Sequence, residues 1–182
     1  MRALTFYESV AMSKALLVID LQNDYFPNGH FPLWNAEASL IQIESAIARA
    51  KAQAIPVILI QHIANPANGI SPFFNKDTKG VEIHARILAA APEAPIVVKQ
   101  QADSFLGTNL DQLLKEIGAT DLIICGMMTQ NCVTHTAISK TAEKYQVRIL
   151  ADCCTTVNEM IHGIALHAVA PRVPLITCDD VW

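Results

Sequence analysis

Short, uninterrupted runs of apolar residues recur along the whole chain. They occupy residues 15–19, 56–60, 95–98, 121–125, 147–150 and 174–178. Runs of this length without polar alternation are typical of strands that are buried on both faces of a parallel sheet. Segments with the spacing of amphipathic helices lie between them, at residues 36–54, 107–117, 130–145 and 156–170. This alternation predicts an α/β fold, a three-layer, doubly wound, Rossmann-like sandwich in which helices cover both faces of a six-stranded parallel sheet.

Helix-capping and helix-breaking residues predict where these helices begin and end. Gly118 suits the position that follows a helix C-terminus, and Pro171 ends the last helix. Thr156 and Glu159 have the spacing of a capping box, which predicts that the last helix begins at Thr156. Residues 61–94 show no regular pattern beyond a strand end and contain several Pro, Asn and Gly residues. A loop of this length in a compact domain is usually functional or faces a partner.

Composition and charge exclude several classes of protein. The 182 residues are 52% hydrophobic, which suits one domain with a substantial core. The net charge is −4, and Lys and Arg are scattered, so the basic patch of a nucleic-acid-binding surface is missing. No apolar run approaches the ~18–20 residues that a membrane span needs. We therefore expect neither a nucleic acid nor a membrane as partner.

The N-terminus and the cysteines indicate a cytoplasmic protein. Residues 1–13 lack the continuous apolar stretch of a signal peptide, and we predict that they are an extension preceding a single domain at residues 14–182. The five cysteines are an odd number, which favours reduced thiols rather than a disulfide framework. Their spacing does not resemble that of a zinc site.

Three polar residues that could take part in catalysis follow predicted strands. Asp20 follows the first strand, Lys99 follows the third, and Cys132 lies shortly after the fourth. Ligands of open parallel sheets bind beyond the carboxyl ends of the strands, so all three residues belong to the edge where a site is expected. Each also has an ordinary interpretation, as a loop-capping carboxylate, a solvated lysine or a small packed cysteine.

Together, these residues could perform nucleophilic catalysis. If Thr129 caps a helix, Cys132 lies in its first turn, where the helix dipole and Lys99 favour a thiolate. Asp20 could accept the thiol proton and later return it to a leaving group. Attack on a carbonyl would give a thioester that water hydrolyses, and the backbone N–H groups of Met128 and Cys132 could hold the oxyanion.

Five further residues are candidates for the wall of a substrate pocket. They are Phe26, Trp34, His62, Phe105 and Met127. His62 ends the second strand at the same edge, and a loop histidine bonded to backbone is the alternative interpretation. Phe105 and Met127 fit core packing as readily as a pocket for a small amide.

Three motifs resemble those of the isochorismatase-like cysteine hydrolases. They are VIDLQNDYF at 18–26, VVKQQADSFLGTNLDQLL at 97–114 and IICGMMTQNCVTHTA at 123–137. The resemblance extends from about Lys14 to Val181. It implies that Asp20, Lys99 and Cys132 are the catalytic aspartate, lysine and nucleophile. It also implies a cis Met127–Met128 bond that aims the Met128 N–H at the oxyanion, and a homodimer or homotetramer.

Departures from the family pattern narrow the expected reaction. Gln61 and Ile63 stand where metal-binding nicotinamidases carry Asp and His, so we expect no metal and no organic cofactor. Vinyl-ether-cleaving isochorismatases typically lack the cysteine, and its presence favours a C–N bond at a carbonyl. The prediction is a hydrolase of a small amide, imide or ureido compound. Isochorismatase-type vinyl-ether hydrolysis and a non-catalytic, ligand-binding role are the alternatives.

Overall fold

A computed structural model describes residues 13–182, and in it strands and helices alternate along the chain. The strands are β1 (Lys14–Ile19), β2 (Val57–His62), β3 (Ile96–Lys99), β4 (Asp121–Met127), β5 (Gln146–Thr155) and β6 (Leu175–Ile176). The helices are α1 (Ala36–Ala52), α2 (Ala85–Ala90), α3 (Leu110–Glu116), α4 (Thr134–Ala137) and α5 (Glu159–Val169). The predicted extension at residues 1–13 lies outside the described residues except for Ser13. The Ser13 carbonyl accepts a hydrogen bond from the Thr120 N–H just before β4.

The six strands form one parallel sheet in the order β3-β2-β1-β4-β5-β6. The predicted six-stranded parallel sheet, with helices on both faces, is thus confirmed. The strand order changes direction between β1 and β4, and open α/β sheets bind ligands at such a switch point. β4 is buried along its whole length, because β1 and β5 flank it and helices cover it. Each fully buried Leu or Ile in this core contributes about 1.5–3 kcal/mol.

The irregular segment 61–94 contains a helix that the sequence analysis did not predict. α2 has only six residues, fewer than two turns, and so shows too little periodicity to be recognised. His84 is the N-cap of α2, and its ring Nδ1 accepts a hydrogen bond from the Arg86 N–H at 3.3 Å.

The prediction of one helix over residues 130–145 is wrong. The chain forms a π-helical turn at Thr129–Val133, then α4, then a 3-10 turn at Thr141–Lys144. β-Branched residues are frequent in this stretch, and the Thr134 hydroxyl bonds to the Asn131 carbonyl at 3.3 Å. Both features weaken a continuous helix.

The start of the last helix also differs from the prediction. Asn158, rather than Thr156, is the N-cap of α5, and its side chain accepts from the Ile161 N–H at 2.9 Å. The Thr156 hydroxyl instead donates to the side chain of Gln130. Both residue types are good caps, so the sequence pattern alone does not choose between them.

Gly126 allows β4 to approach β1 closely next to Asp20. Its φ is +123°, and a Cβ atom there would lie 2.1 Å from the carbonyl oxygen of Ile19. We expect Gly126→Ala to lower the free energy of unfolding by about 3 kcal/mol or more, through overpacking and backbone strain. Urea unfolding would measure this loss.

Gly163 provides the matched control for this substitution. It lies within α5, and a Cβ atom there would meet no atom within 4 Å. Gly163→Ala should therefore stabilise the protein by about 0.5–1 kcal/mol, because alanine favours the helix. Equal unfolding midpoints for the two variants would contradict the close approach at Gly126.

None of the helices within residues 13–182 has the length and hydropathy needed to cross a bilayer.

Candidate active site

A buried ion pair joins the ends of β1 and β3. Lys99 is the last residue of β3, Asp20 follows β1, and Lys99 Nζ lies 3.0 Å from Asp20 Oδ2. Both side chains are 0% exposed. Lys99 Nζ also donates to the carbonyls of Gln101 and Ala102, at 3.1 and 3.3 Å. Within residues 13–182, the carboxylate oxygens of Asp20 accept no hydrogen bond apart from this ion pair. Oδ1 of the carboxylate therefore has no hydrogen-bond partner among the described residues.

Cys132 and His62 complete the cluster at this edge of the sheet. One side-chain atom from each of Asp20, His62 and Cys132 lies within 4.8 Å of the other two. His62 is the last residue of β2, and its Nδ1 lies 3.4 Å from Lys99 Nζ. The structure thus brings the predicted aspartate, lysine and cysteine together with one of the predicted pocket residues.

The surroundings of the Cys132 thiol favour its neutral form. Burial raises its pKa, the negative charge of Asp20 raises it further, and Lys99 opposes the shift without cancelling it. The side chain is only 2% exposed, which explains why desolvation dominates. These surroundings oppose the thiolate that the sequence analysis expected, because the sequence does not show how deeply the cysteine is buried; the resting charge of Cys132 stays a prediction. The Asp20 carboxylate, which could accept the thiol proton, lies adjacent to it.

The charges on Lys99 and His62 follow from the same surroundings. Burial lowers the pKa of the Lys99 ammonium, but Asp20 and Cys132 raise it, and the net shift is upward. Burial lowers the pKa of His62, Asp20 opposes this shift, and Lys99 adds to it, so the net shift is downward. At neutral pH the lysine is a cation, and the histidine is a neutral ring that can accept a hydrogen bond from it.

The turn that carries Cys132 has unusual backbone geometry. The Met127–Met128 peptide bond is cis, as the resemblance implied, and Met128 precedes the π-helical turn that contains Cys132. π-Helical turns often occur at functional sites. The expectation that Thr129 caps a helix is wrong, because its hydroxyl lies 2.9 Å from His162 Nδ1 instead. The oxyanion role of the Met128 and Cys132 N–H groups stays a prediction.

Hydrogen bonds connect the loop after Lys99 to the helix after Cys132. The Ser104 N–H donates to Thr136 Oγ1 at 3.0 Å, and the Thr136 hydroxyl donates to Ser104 Oγ at 2.8 Å. Both residues are fully buried. These bonds restrain the distance between the segments that carry Lys99 and Cys132.

Three consecutive polar side chains after Asp20 fasten the loop that follows β2. Gln22 donates to the His62 and Val81 carbonyls at 2.8 and 2.7 Å. Asn23 donates to the Lys79 carbonyl at 2.9 Å, and Asp24 accepts from the Phe74 N–H at 2.7 Å. The sequence analysis missed this function. The sequence shows only that three consecutive polar residues begin three positions after the end of β1, and it does not show their partners in the loop.

An aromatic cluster lies beside the site. It includes Tyr25, which the sequence analysis did not name as a candidate. The Tyr25 ring packs against those of Phe31, Phe73 and Phe74, with centroids 6.5, 5.3 and 4.5 Å away. Burial raises the pKa of Tyr25, and the negative charge of Asp20 raises it further. Tyr25 therefore presents a neutral hydroxyl near the reacting groups.

The other predicted pocket residues are more dispersed. The rings of Phe26 and His84 pack with centroids 4.4 Å apart and are tilted by 45° to each other. Both residues line a cavity of about 390 Å³ whose lining excludes Asp20, Lys99 and Cys132. Phe105 stacks on Tyr145 at 6.1 Å and belongs to the hydrophobic core.

Trp34 and Met127 lie in different surroundings. Trp34 is 38% exposed, lies beside His162 at 6.0 Å, and is hydrogen-bonded through its backbone to the end of β5. Met127 is fully buried within β4. A contact between substrate and any residue of this predicted set stays a prediction.

Asp24 offers a test of how the loop is held. Burial raises its pKa, but hydrogen bonds from Phe74 and His30 lower it more, and the net shift is downward. The carboxylate therefore stabilises the fold above its ordinary pKa of about 3.8, and this stabilisation is lost as the pH falls through the lower folded value. We expect Asp24→Asn to destabilise the protein by about 1.5–3 kcal/mol at pH 7, since an amide cannot accept all three bonds.

Urea unfolding at pH 7 and again below pH 4 would check this expectation. The difference between wild type and Asp24→Asn should shrink at the lower pH. Asp77→Asn, at an exposed position of the same loop, is the control and should change little. A difference that stays constant with pH would show that the charge of Asp24 is not responsible.

Comparison with known proteins defines the class to which this fold and site belong. Residues 14–180 match the isochorismatase domain. The chain belongs to the isochorismatase family of hydrolases.

Individual relatives support this assignment. The isochorismatase family protein YddQ of Bacillus subtilis is 37% identical over 150 residues, which is 82% of each chain. The ureidoacrylate amidohydrolase RutB of Methylobacterium radiotolerans is 28% identical over 193 residues, covering 87% of this chain and 75% of that protein. A solved isochorismatase family protein of Desulfovibrio vulgaris has a TM-score of 0.83 at 24% identity, covering 92% of this chain and 95% of that one.

Proposed function

We propose that this protein is a cysteine-dependent hydrolase of a small amide, imide or ureido C–N bond. The observation that carries the proposal is the position of the Cys132 thiol beside the buried Asp20–Lys99 ion pair. A nucleophile, a proton acceptor and a fixed cation are the groups that acyl transfer through a thioester requires. The name of the relative RutB, an amidohydrolase, agrees with this reaction class.

The first half of the reaction forms a thioester. The Asp20 carboxylate takes the proton from Cys132 as the sulfur attacks the carbonyl carbon, and the carbonyl oxygen becomes an oxyanion. The N–H groups of Met128 and Cys132 stabilise that oxyanion. Asp20 then gives its proton to the leaving nitrogen, the C–N bond breaks, and ammonia or an amine departs.

Water completes the reaction in the second half. Asp20 accepts a proton from a water molecule as the water oxygen attacks the thioester carbonyl. The second oxyanion collapses, the C–S bond breaks, and the thiolate recovers the proton from Asp20. During the reaction, the Lys99 ammonium offsets the repulsion between the Asp20 carboxylate and the Cys132 thiolate. Its hydrogen bonds to the Gln101 and Ala102 carbonyls hold it in place.

The proposal also covers the substrate contacts, the cofactor requirement, the cellular location and the oligomeric state. His62 and the Tyr25 hydroxyl contact the substrate beside the reacting atoms, with Phe26, Trp34, Phe105 and Met127 as outer candidates. The substrate is a small molecule, and the reaction uses no organic cofactor or metal. The protein works in the cytoplasm as a homodimer or homotetramer.

Ammonia release from a panel of small amides, imides and ureido compounds tests the reaction class. We expect at least one compound to release ammonia or an amine together with the matching carboxylic acid, or the carbamic acid in the case of a ureido compound. A vinyl ether such as isochorismate belongs in the same panel. Cleavage of that compound alone would replace the proposed C–N hydrolysis by vinyl-ether hydrolysis. An absence of turnover, together with ligand binding, would indicate a non-catalytic member of the family.

A further inference from the structure

The first two side chains of the turn that contains Cys132 are hydrogen-bonded to the segment that follows β5. The Thr129 hydroxyl lies 2.9 Å from Nδ1 of His162, which belongs to α5. The Gln130 side chain accepts a hydrogen bond from the hydroxyl of Thr156, which lies between β5 and α5. Thr129 is fully buried, and His162 is the one partner of its hydroxyl among the described residues. A buried hydroxyl without a partner is destabilising, so this bond resists displacement of the turn.

Backbone hydrogen bonds close the same turn around Cys132. The Met128 carbonyl accepts from the N–H groups of Asn131 and Val133, the two neighbours of Cys132 in the chain, at 3.0 and 3.3 Å. Thr129 directly follows Met128 within this closed turn. The position of the Thr129 side chain therefore also sets the positions of the Met128 and Cys132 N–H groups, to which the proposed function assigns the oxyanion.

Apolar packing leaves the position of α5 against this turn weakly defined. Of the eleven residues of α5, only Ala165 and Val169 are buried, whereas Met160 and Ile164 are 75% and 62% exposed. A helix held by so few buried side chains needs a directional contact to fix where it lies. The hydrogen bond made by the His162 ring supplies such a contact.

The state of the His162 ring suits this bond. Burial lowers the pKa of His162, Glu159 opposes the shift, and the net shift is downward. The ring is therefore uncharged at neutral pH, and its Nδ1 can accept from the Thr129 hydroxyl or donate to it. The amide of an asparagine offers both a donor and an acceptor near the same place.

We propose that His162 is a positioning residue for the hydrolysis, which acts through Thr129 to hold the Met128 and Cys132 N–H groups toward the reacting carbonyl oxygen. This role rests on the proposed function. Its effect falls on the transition state rather than on substrate affinity, because the oxyanion exists only during the reaction. A displacement of reacting groups by about 1 Å lowers a rate about a hundredfold.

Steady-state kinetics of His162→Ala on any hydrolysed panel compound tests this role. We expect kcat to fall about 10- to 100-fold while KM changes by less than about threefold. His162→Asn should restore kcat to within about threefold of wild type. His167→Ala is the matched control, because His167 lies exposed on the same helix, and it should keep the wild-type kcat. Equal kcat in His162→Ala and His167→Ala, or no recovery in His162→Asn, would overturn the proposal.

A second pair of variants examines the bond from the side of Thr129. Thr129→Val removes the hydroxyl, keeps the shape of the side chain, and should lose as much kcat as His162→Ala. Thr129→Ser keeps the hydroxyl and should retain most of kcat. The double variant Thr129→Val with His162→Ala should lose no more than either single variant, because both changes remove the same bond. Losses that multiply would show that the two side chains act independently, and would contradict the proposed role.

Urea unfolding of wild type, the two single variants and the double variant separates this role from the proposed function. The losses of stability should also be non-additive, and this measurement needs no substrate. Hydrolysis by wild type without coupling between Thr129 and His162 would exclude the positioning role and leave the proposed function intact. Coupling in a protein that hydrolyses no panel compound would confirm the bond and reject the proposed function, together with the catalytic consequence of His162.

Discussion

Cys132→Ala will reduce hydrolysis of any active panel compound by at least about a thousandfold in kcat, since no thioester can form without the sulfur. Cys132 is 2% exposed, but the change removes only its sulfur atom. We therefore expect little effect on folding. Substrate affinity should persist, because the Asp20–Lys99 pair and His62 remain. Steady-state kinetics and a binding titration would separate these effects.

Cys154→Ala is the matched control for this loss. Cys154 is 4% exposed, and its thiol donates to the Leu150 carbonyl at 3.2 Å within β5, away from the ion pair. The variant should keep nearly full activity. Comparable activity in Cys132→Ala would transfer the chemistry to Asp20 acting without a covalent intermediate, and would exclude the proposed mechanism.

Lys99→Met should be the most destabilising single change at the site, at about 3–5 kcal/mol. Methionine fills similar space, but the carboxylate of Asp20 would then be buried without its cation. Burial of an unpaired charge costs far more than the net contribution of the original pair. Urea unfolding of wild type and variant at pH 7 would measure the loss.

The double variant Asp20→Asn with Lys99→Met separates charge from packing. Both charges are then absent, and most of the lost stability should return, even though activity does not. If the double variant is as unstable as Lys99→Met alone, the cost arises from packing around the lysine stem. The ion pair would then have little part in holding β1 and β3 together.

The sheet could be predicted from the sequence because its strands are buried on both faces. Such strands appear as continuous apolar runs, and all six predicted runs correspond to strands. Irregular or short elements carry no comparable signal. α2 spans fewer than two turns, and the segment after Cys132 departs from helical geometry because its threonines bond to backbone and to Ser104. These features depend on contacts with distant residues.

The site could be predicted only in part, for a related physical reason. The positions of Asp20, Lys99 and Cys132 follow from strand ends, which the sequence marks well. The protonation state of Cys132 depends on how much water the fold excludes, and this reverses the expected shift of its pKa. The roles of Gln22 and Asp24 depend on backbone atoms more than forty residues away, and no side-chain pattern reports them.

The fastening of the loop after β2 has a consequence for protein engineering. Gln22, Asn23 and Asp24 hold this loop by its peptide groups rather than by its side chains. Loop side chains that make no contact of their own can therefore be varied while the backbone path is kept. A mutant library over residues 63–79 that spares Phe73, Phe74, Asn75 and Thr78 would leave Asp20, Lys99 and Cys132 in place. Under the proposed function, this chain is a scaffold for selecting hydrolases with new amide preferences.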